Sequence, residues 1–171
     1  MKRIVLASAL AILLSSLAYG KTGATAKADI INSKGESIGT ATLKETSRGV
    51  DMTVDVSQLP PGMHAFHIHT VGKCDPPDFK TAGAHFNPEN KKHGWSNPEG
   101  HHAGDLENLT ADAHGKIKEK LVIHGVTLGD GPDSLFHPGG TALVIHADPD
   151  DGRTDPAGNA GARFACGVIT K

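Results

Sequence analysis

The sequence lacks most of what marks nucleic-acid binding, membrane spanning or a helical fold. It has no long Lys/Arg run, and 17 Lys+Arg against 19 Asp+Glu leave a formal charge of −2. That argues against a nucleic-acid partner. The one long apolar stretch, Ile4–Leu14, is too short to cross a bilayer, which needs about 20 residues. No segment sustains a 3.6-residue apolar period, and no repeat or low-complexity tract occurs. Cysteine is limited to Cys74 and Cys166, tryptophan to Trp95 and tyrosine to Tyr19. What is present suits one domain with a sizeable core: 171 residues, 37% of them hydrophobic, with 21 glycines. Gly and Pro together favour turn-rich β architecture. Histidine is in excess. Eleven copies are more than structure alone requires, and imidazole is a metal ligand.

Lys2 and Arg3, the apolar stretch and the small residues around Ala18-Tyr19-Gly20 have the order of a secretory signal peptide. The expected division is a cleaved segment 1–20 and a single domain 21–171, periplasmic or secreted; a buried N-terminal helix is the alternative. An exported chain with two cysteines tends to pair them. A Cys74–Cys166 bridge closes a 92-residue loop, worth about 4.6 kcal/mol in chain entropy; two free buried thiols are the alternative.

Val50, Met52, Val54 and Val56 alternate with Asp51, Thr53 and Asp55, the pattern of a half-buried strand. Similar segments lie near Thr25–Asn32, Ser37–Lys44, Met63–Thr70, Asp105–Asp112, Ile117–Ile123, Thr141–His146 and Arg163–Thr170. Eight short strands predict an all-β, antiparallel sandwich or barrel. Three segments resist a strand reading: Val71–Gly104, Gly125–Gly139 and Ala147–Ala162. Loops of that length in a compact domain are usually functional or disordered.

In His64-Ala65-Phe66-His67-Ile68-His69, a strand would put His67 and His69 on one face, about 6.6 Å apart, with Phe66 and Ile68 on the other. Alone, such a pair also fits surface histidines. The long loop that follows adds His85-Phe-Asn-Pro, Lys92-His93-Gly94 and His102-Ala-Gly-Asp105. Three imidazoles and a carboxylate satisfy tetrahedral zinc without cysteine. Leu143-Val144-Ile145-His146 ends a strand with His146 on the face of Val144, and Arg163 stands three residues before Cys166.

Taken in order, F-H-I-H, A-G-A-H-F-N-P, K-H-G, H-A-G-D-L, L-V-I-H and G-N-A-G-A-R-F-A-C-G-V-I resemble copper/zinc superoxide dismutase in its exported bacterial form, from about Asp29 to Ile169. The resemblance implies a Greek-key, immunoglobulin-like layout of the eight strands, copper on His67, His69, His85 and His146, and zinc on His85, His93, His102 and Asp105, with His85 bridging as an imidazolate. It implies Arg163 beside copper as the group for the small anion, and an oxidoreductase cycle that turns superoxide into dioxygen and hydrogen peroxide. An aspartate after the last copper histidine should bond one ligand of each ion; Asp150 fits by spacing, with Asp148 and Asp151 as rivals. A non-enzymatic copper carrier on the same fold is the alternative function.

Some residues depart from the pattern or fall outside it. Asp148, Asp150, Asp151 and Asp155 against Arg153 make the last long loop acidic, so attraction of the substrate must come from elsewhere, with Lys73, Lys80, Lys91 and Lys92 as candidates. His64 is expected to bond backbone rather than metal, and His101 to be a mere neighbour of His102. His114, His124 and His137 read as solvated. Trp95 either packs locally or anchors a subunit contact, the latter making a homodimer possible.

Overall fold

The computed structural model describes residues 23–171; the expected signal segment lies outside them. Eight strands follow one another: β1 Thr25–Asn32, β2 Ser37–Thr46, β3 Gly49–Val56, β4 Gly62–His69, β5 Asp105–Ala111, β6 Ile117–Ile123, β7 Ala142–His146 and β8 Arg163–Val168. One turn of 3-10 helix, Lys80–Ala82, is the only helix among the described residues. The eight strands expected from period-two patterning form within a few residues of their expected limits. β8 stops short of Thr170, which forms only an isolated bridge to Lys27.

All strand pairs are antiparallel, in the order β5-β4-β7-β8-β1-β2-β3-β6. β5 and β6 are joined by a short turn yet share no ladder, so the barrel is closed except at one seam. There the Glu119 carboxylate accepts the backbone N–H of Thr110 at 2.9 Å. The barrel interior is filled by alternate residues of each strand, among them Ile30, Leu43, Val54, Phe66, Ile68, Leu109, Leu143 and Ile145.

The wall formed by β4, β7 and β8 is covered on its outer face as well. Ala142, Val144 and Cys166 point away from the interior into a second apolar cluster with Phe79 and Ala82. That is why every residue of β7 is buried and its sequence reads as unbroken apolar up to His146. The covering layer is the subloop 71–85, tied to β8 by the Cys74–Cys166 disulfide, whose Cα atoms are 5.6 Å apart. His67, His69 and His146 also face outward on this wall, so they lie between a rigid sheet and the long loops laid over it.

Candidate metal centre

Strand register assembles the cluster. His67 on β4 stands opposite Asp105 on β5, and His69 stands opposite His85 through an isolated bridge. His146 on β7 stands opposite Arg163 on β8, where the ladder shifts between Ile145 and His146. Such irregularities re-aim side chains at sheet ends. Directly paired residues share a face with Cβ atoms about 5 Å apart. Six of the expected site residues are thereby collected by backbone pairing alone.

The loop 71–104 carries His85 and supplies two further candidate ligands, His93 and His102. His85, His93 and His102 bring their Nδ1 atoms to 2.9, 3.0 and 3.1 Å from a single oxygen, Oδ1 of Asp105, and His102 Nδ1 lies 3.4 Å from His85 Nδ1. A carboxylate oxygen has two lone pairs and cannot serve three ring N–H donors well. Four donors at these spacings instead match the edges of a tetrahedron around zinc, which are about 3.3 Å for ligand distances near 2.0 Å.

The second cluster shows the same signature. His67 donates from Nε2 to the Asp150 carboxylate at 2.6 Å, leaving a lone pair on Nδ1, which faces His146 Nε2 at 3.1 Å. His69 bonds the Gly83 carbonyl through Nδ1 at 2.9 Å. The buried Nε2 atoms of His69 and His85 have no partner. Ring nitrogens converging without hydrogens between them are stabilised by a cation, and four imidazoles suit copper. In each quartet the donor atoms lie within 4.8 Å of one another. His85 belongs to both, offering Nδ1 to one and Nε2 to the other.

Asp150 is the aspartate that links the quartets: its Oδ2 lies 2.6 Å from His67 Nε2 and 3.0 Å from His93 Nε2. The rivals do other work. Asp148 accepts the Ala65 N–H through its carbonyl, and Asp151 caps the turn at Arg153 and Thr154. Sequence reasoning missed Asn108, whose carboxamide holds the backbone of Asp150 from β5; no motif contains it. It also missed Asp155, which accepts the His93 backbone N–H at 2.6 Å and so joins the two long loops. Gly94 permits that approach, because a Cβ there would lie 2.2 Å from the Gly152 carbonyl oxygen.

Arg163 donates from its two terminal nitrogens to the carbonyls of Phe79 at 2.7 Å and Gly83 at 2.6 Å. His64 is buried, with its ring nitrogens 2.8 Å from the carbonyls of His146 and Pro60, a backbone role as expected. His101 is exposed beside His102, and His114 and His124 are exposed. His137 is not simply solvated: it is half-buried and stacks on Phe86 with ring centroids 5.2 Å apart. Lys80, Lys91 and Lys92 pair with Asp78, Glu89 and Asp155, which dampens their field. Trp95 lies against Gly152 but remains 43% exposed.

Burial holds His69, His85 and His146 neutral, down to about 2, 4 and 3 respectively. Burial opposes charge on His93 too, but hydrogen bonds to Asp105 and Asp150 carry it up to about 9. Asp105 and Asp150 resist the upward push of burial because histidine N–H groups bond them, and both stay ionised. Burial lowers His67 as well, so without metal these four histidines bind protons mainly on unfolding. Their stability contribution is complete above pH 6.5 and declines as pH falls toward the folded values. His93 is charged in both states below 6.5, so it adds no slope there. Chelator-treated protein is therefore expected to lose stability progressively as pH falls from 6 to 4. Urea titrations across that range check this; a flat stability would contradict it.

Comparison with known proteins agrees with this geometry. The sequence profile of copper/zinc superoxide dismutase (SODC) matches residues 37–169. Superoxide dismutase [Cu-Zn] 1 of Aquifex aeolicus is 57% identical over 144 residues, covering 83% of this chain and 85% of that protein. The superoxide dismutase-like protein YojM of Bacillus subtilis is 41% identical, covering 82% of this chain and 73% of that one. Among solved structures, the Cu/Zn superoxide dismutase of Brucella abortus superposes with a TM-score of 0.69 at 29% identity, covering 86% of this chain and all of that chain. No helix among the described residues is long and apolar enough to cross a membrane. A wall of imidazoles that can hold two ions through one ring, on a barrel shared with these relatives, places the chain in the copper/zinc superoxide dismutase family: an oxidoreductase with one copper and one zinc per subunit that converts superoxide to dioxygen and hydrogen peroxide.

Proposed function

We propose that His67, His69, His85 and His146 hold the copper ion, that His85, His93, His102 and Asp105 hold the zinc ion, and that Arg163 and His85 are the catalytic side chains. The observation that carries this reading is the His85 ring, with Nδ1 against Asp105 and Nε2 buried without a partner. Bound copper would supply one-electron chemistry by alternating between two oxidation states, while zinc keeps one.

The chain's own groups do the rest. Arg163 keeps its charge at neutral pH although burial lowers its pKa. Two of its five N–H donors are fixed on carbonyls, so the guanidinium is a rigid positive group whose other donors can bind a small anion. His85 can carry a proton at Nε2: with its Nδ1 lone pair given to zinc, the ring would be neutral when Nε2 is protonated. Asp150 fixes the ring planes of His67 and His93, as partners behind metal ligands do. Metal analysis with a superoxide assay tests the assignment. One copper and one zinc per chain with turnover support it, whereas tight copper without turnover would favour a copper carrier.

The enzyme acts in the periplasm or outside the cell after loss of segment 1–20. The signal-like order of Lys2, Arg3 and Ile4–Leu14 supports this, as does a disulfide, which persists in oxidising compartments. A homodimer is supported by the exposed Trp95, since aromatics are enriched at interfaces. Trp95→Ala should then sediment as monomer where the parent sediments as dimer, and identical sedimentation would remove the idea.

A further inference from the structure

Asn108 stands on β5, three residues beyond Asp105, and its carboxamide faces the backbone of a residue 42 positions away. Its Nδ2 donates to the Asp150 carbonyl at 3.0 Å, and the Asp150 amide donates to its Oδ1 at 2.8 Å. Only one orientation of the amide satisfies both bonds; flipped, it would set donor against donor and acceptor against acceptor. One such bond would let the loop pivot. Two in opposite directions hold it as a neighbouring strand would.

The held segment carries the carboxylate between the two quartets. Asp150 reaches His67 and His93 through Oδ2 and accepts the Gly152 amide on Oδ1 at 2.6 Å. On its far side a Cβ at Gly158 would lie 1.9 Å from Oδ1, so the carboxylate has no room to retreat. Its position follows from where its backbone is fixed, and Asn108 is the side chain that fixes it from the sheet.

We propose that Asn108 is a positioning residue for both metal sites. By clamping Asp150 it keeps the Nε2–H groups of His67 and His93 on one carboxylate and thereby leaves their Nδ1 atoms free for the ions. A β5 side chain thus ties the orientation of one ligand in each quartet to the same two hydrogen bonds. The inference rests on the ligand assignment above, and the experiment separates failure of the two.

Asn108→Ala removes both bonds. Asn108→Asp keeps the shape and the acceptor but turns an oxygen toward the Asp150 carbonyl. Both variants, the parent and His93→Ala are compared, without copper, for zinc affinity by chelator competition and for urea stability of the metal-free form. The Cu(II) visible and EPR spectra of the zinc-loaded proteins are recorded beside them. Both Asn108 variants should bind zinc 10–100-fold more weakly, with altered Cu(II) spectra and a loss of zinc affinity out of proportion to any loss of metal-free stability. Zinc affinity within twofold of the parent, with parent-like spectra, would overturn the proposal even if metal-free stability fell. If Asn108→Ala does not fold, the isosteric Asp variant decides by the same two readouts. Unchanged zinc affinity in His93→Ala would instead overturn the ligand assignment.

Discussion

His85→Ala is expected to abolish dismutase activity and to weaken zinc binding about 100-fold while the barrel stays folded. The ring is the single group common to both quartets, so its loss removes one donor from each. Structural zinc sites contribute on the order of 10–16 kcal/mol over four ligands, about 3 kcal/mol each, which is roughly two decades in affinity. The barrel should survive because His85 lies outside the main apolar core and pairs with β4 only through an isolated bridge. His101→Ala is the matching control, an exposed imidazole one residue from a ligand, and should change neither quantity. Zinc competition and superoxide turnover on the two variants suffice. Near-parental zinc affinity in His85→Ala would mean that the ring is not shared.

Opening the disulfide should produce the largest loss of stability. The Cys74–Cys166 bridge spans 92 residues and is worth about 4.6 kcal/mol in chain entropy, against a total of about 5–15 kcal/mol for a typical domain. A Cys74→Ser/Cys166→Ala variant should unfold at clearly lower urea concentration than the parent. Activity should fall with it, because the bridge holds the subloop that supplies the Phe79 and Gly83 carbonyls to Arg163. A variant within 1 kcal/mol of the parent would show that burial of Phe79 and the Arg163 bonds hold the subloop without covalent help.

Much of this was legible because strand periodicity is local. Val50 to Val56 announces β3 by itself, and His67 and His69 share a face by chain geometry alone. The ligand motifs fall in the order of a known family, so the quartets could be named before any contact was seen. Other features depend on distant pairing. Nothing local distinguishes Asp150 from Asp148 or Asp151; the distinction appears only once residues 67 and 93 are brought beside the loop. Asn108 carries no signal at all, being one polar residue in a strand whose importance lies in a contact 42 positions away. His137 misled because a lone loop histidine gives no hint that Phe86 will lie flat against it. The seam between β5 and β6 was equally hidden, since a short turn between two strands ordinarily signals a hairpin.

The Gly83 carbonyl oxygen receives both the Arg163 guanidinium and the His69 imidazole, and so both of its lone pairs are engaged. Any swing of that one peptide group must move the Arg163 guanidinium and the His69 ring together. Under the proposed assignment, drawing in the reactant and tuning the electron acceptor are geared to the same lever. A substitution in the surface subloop that never touches either ion can therefore alter both, and neither can be adjusted there alone.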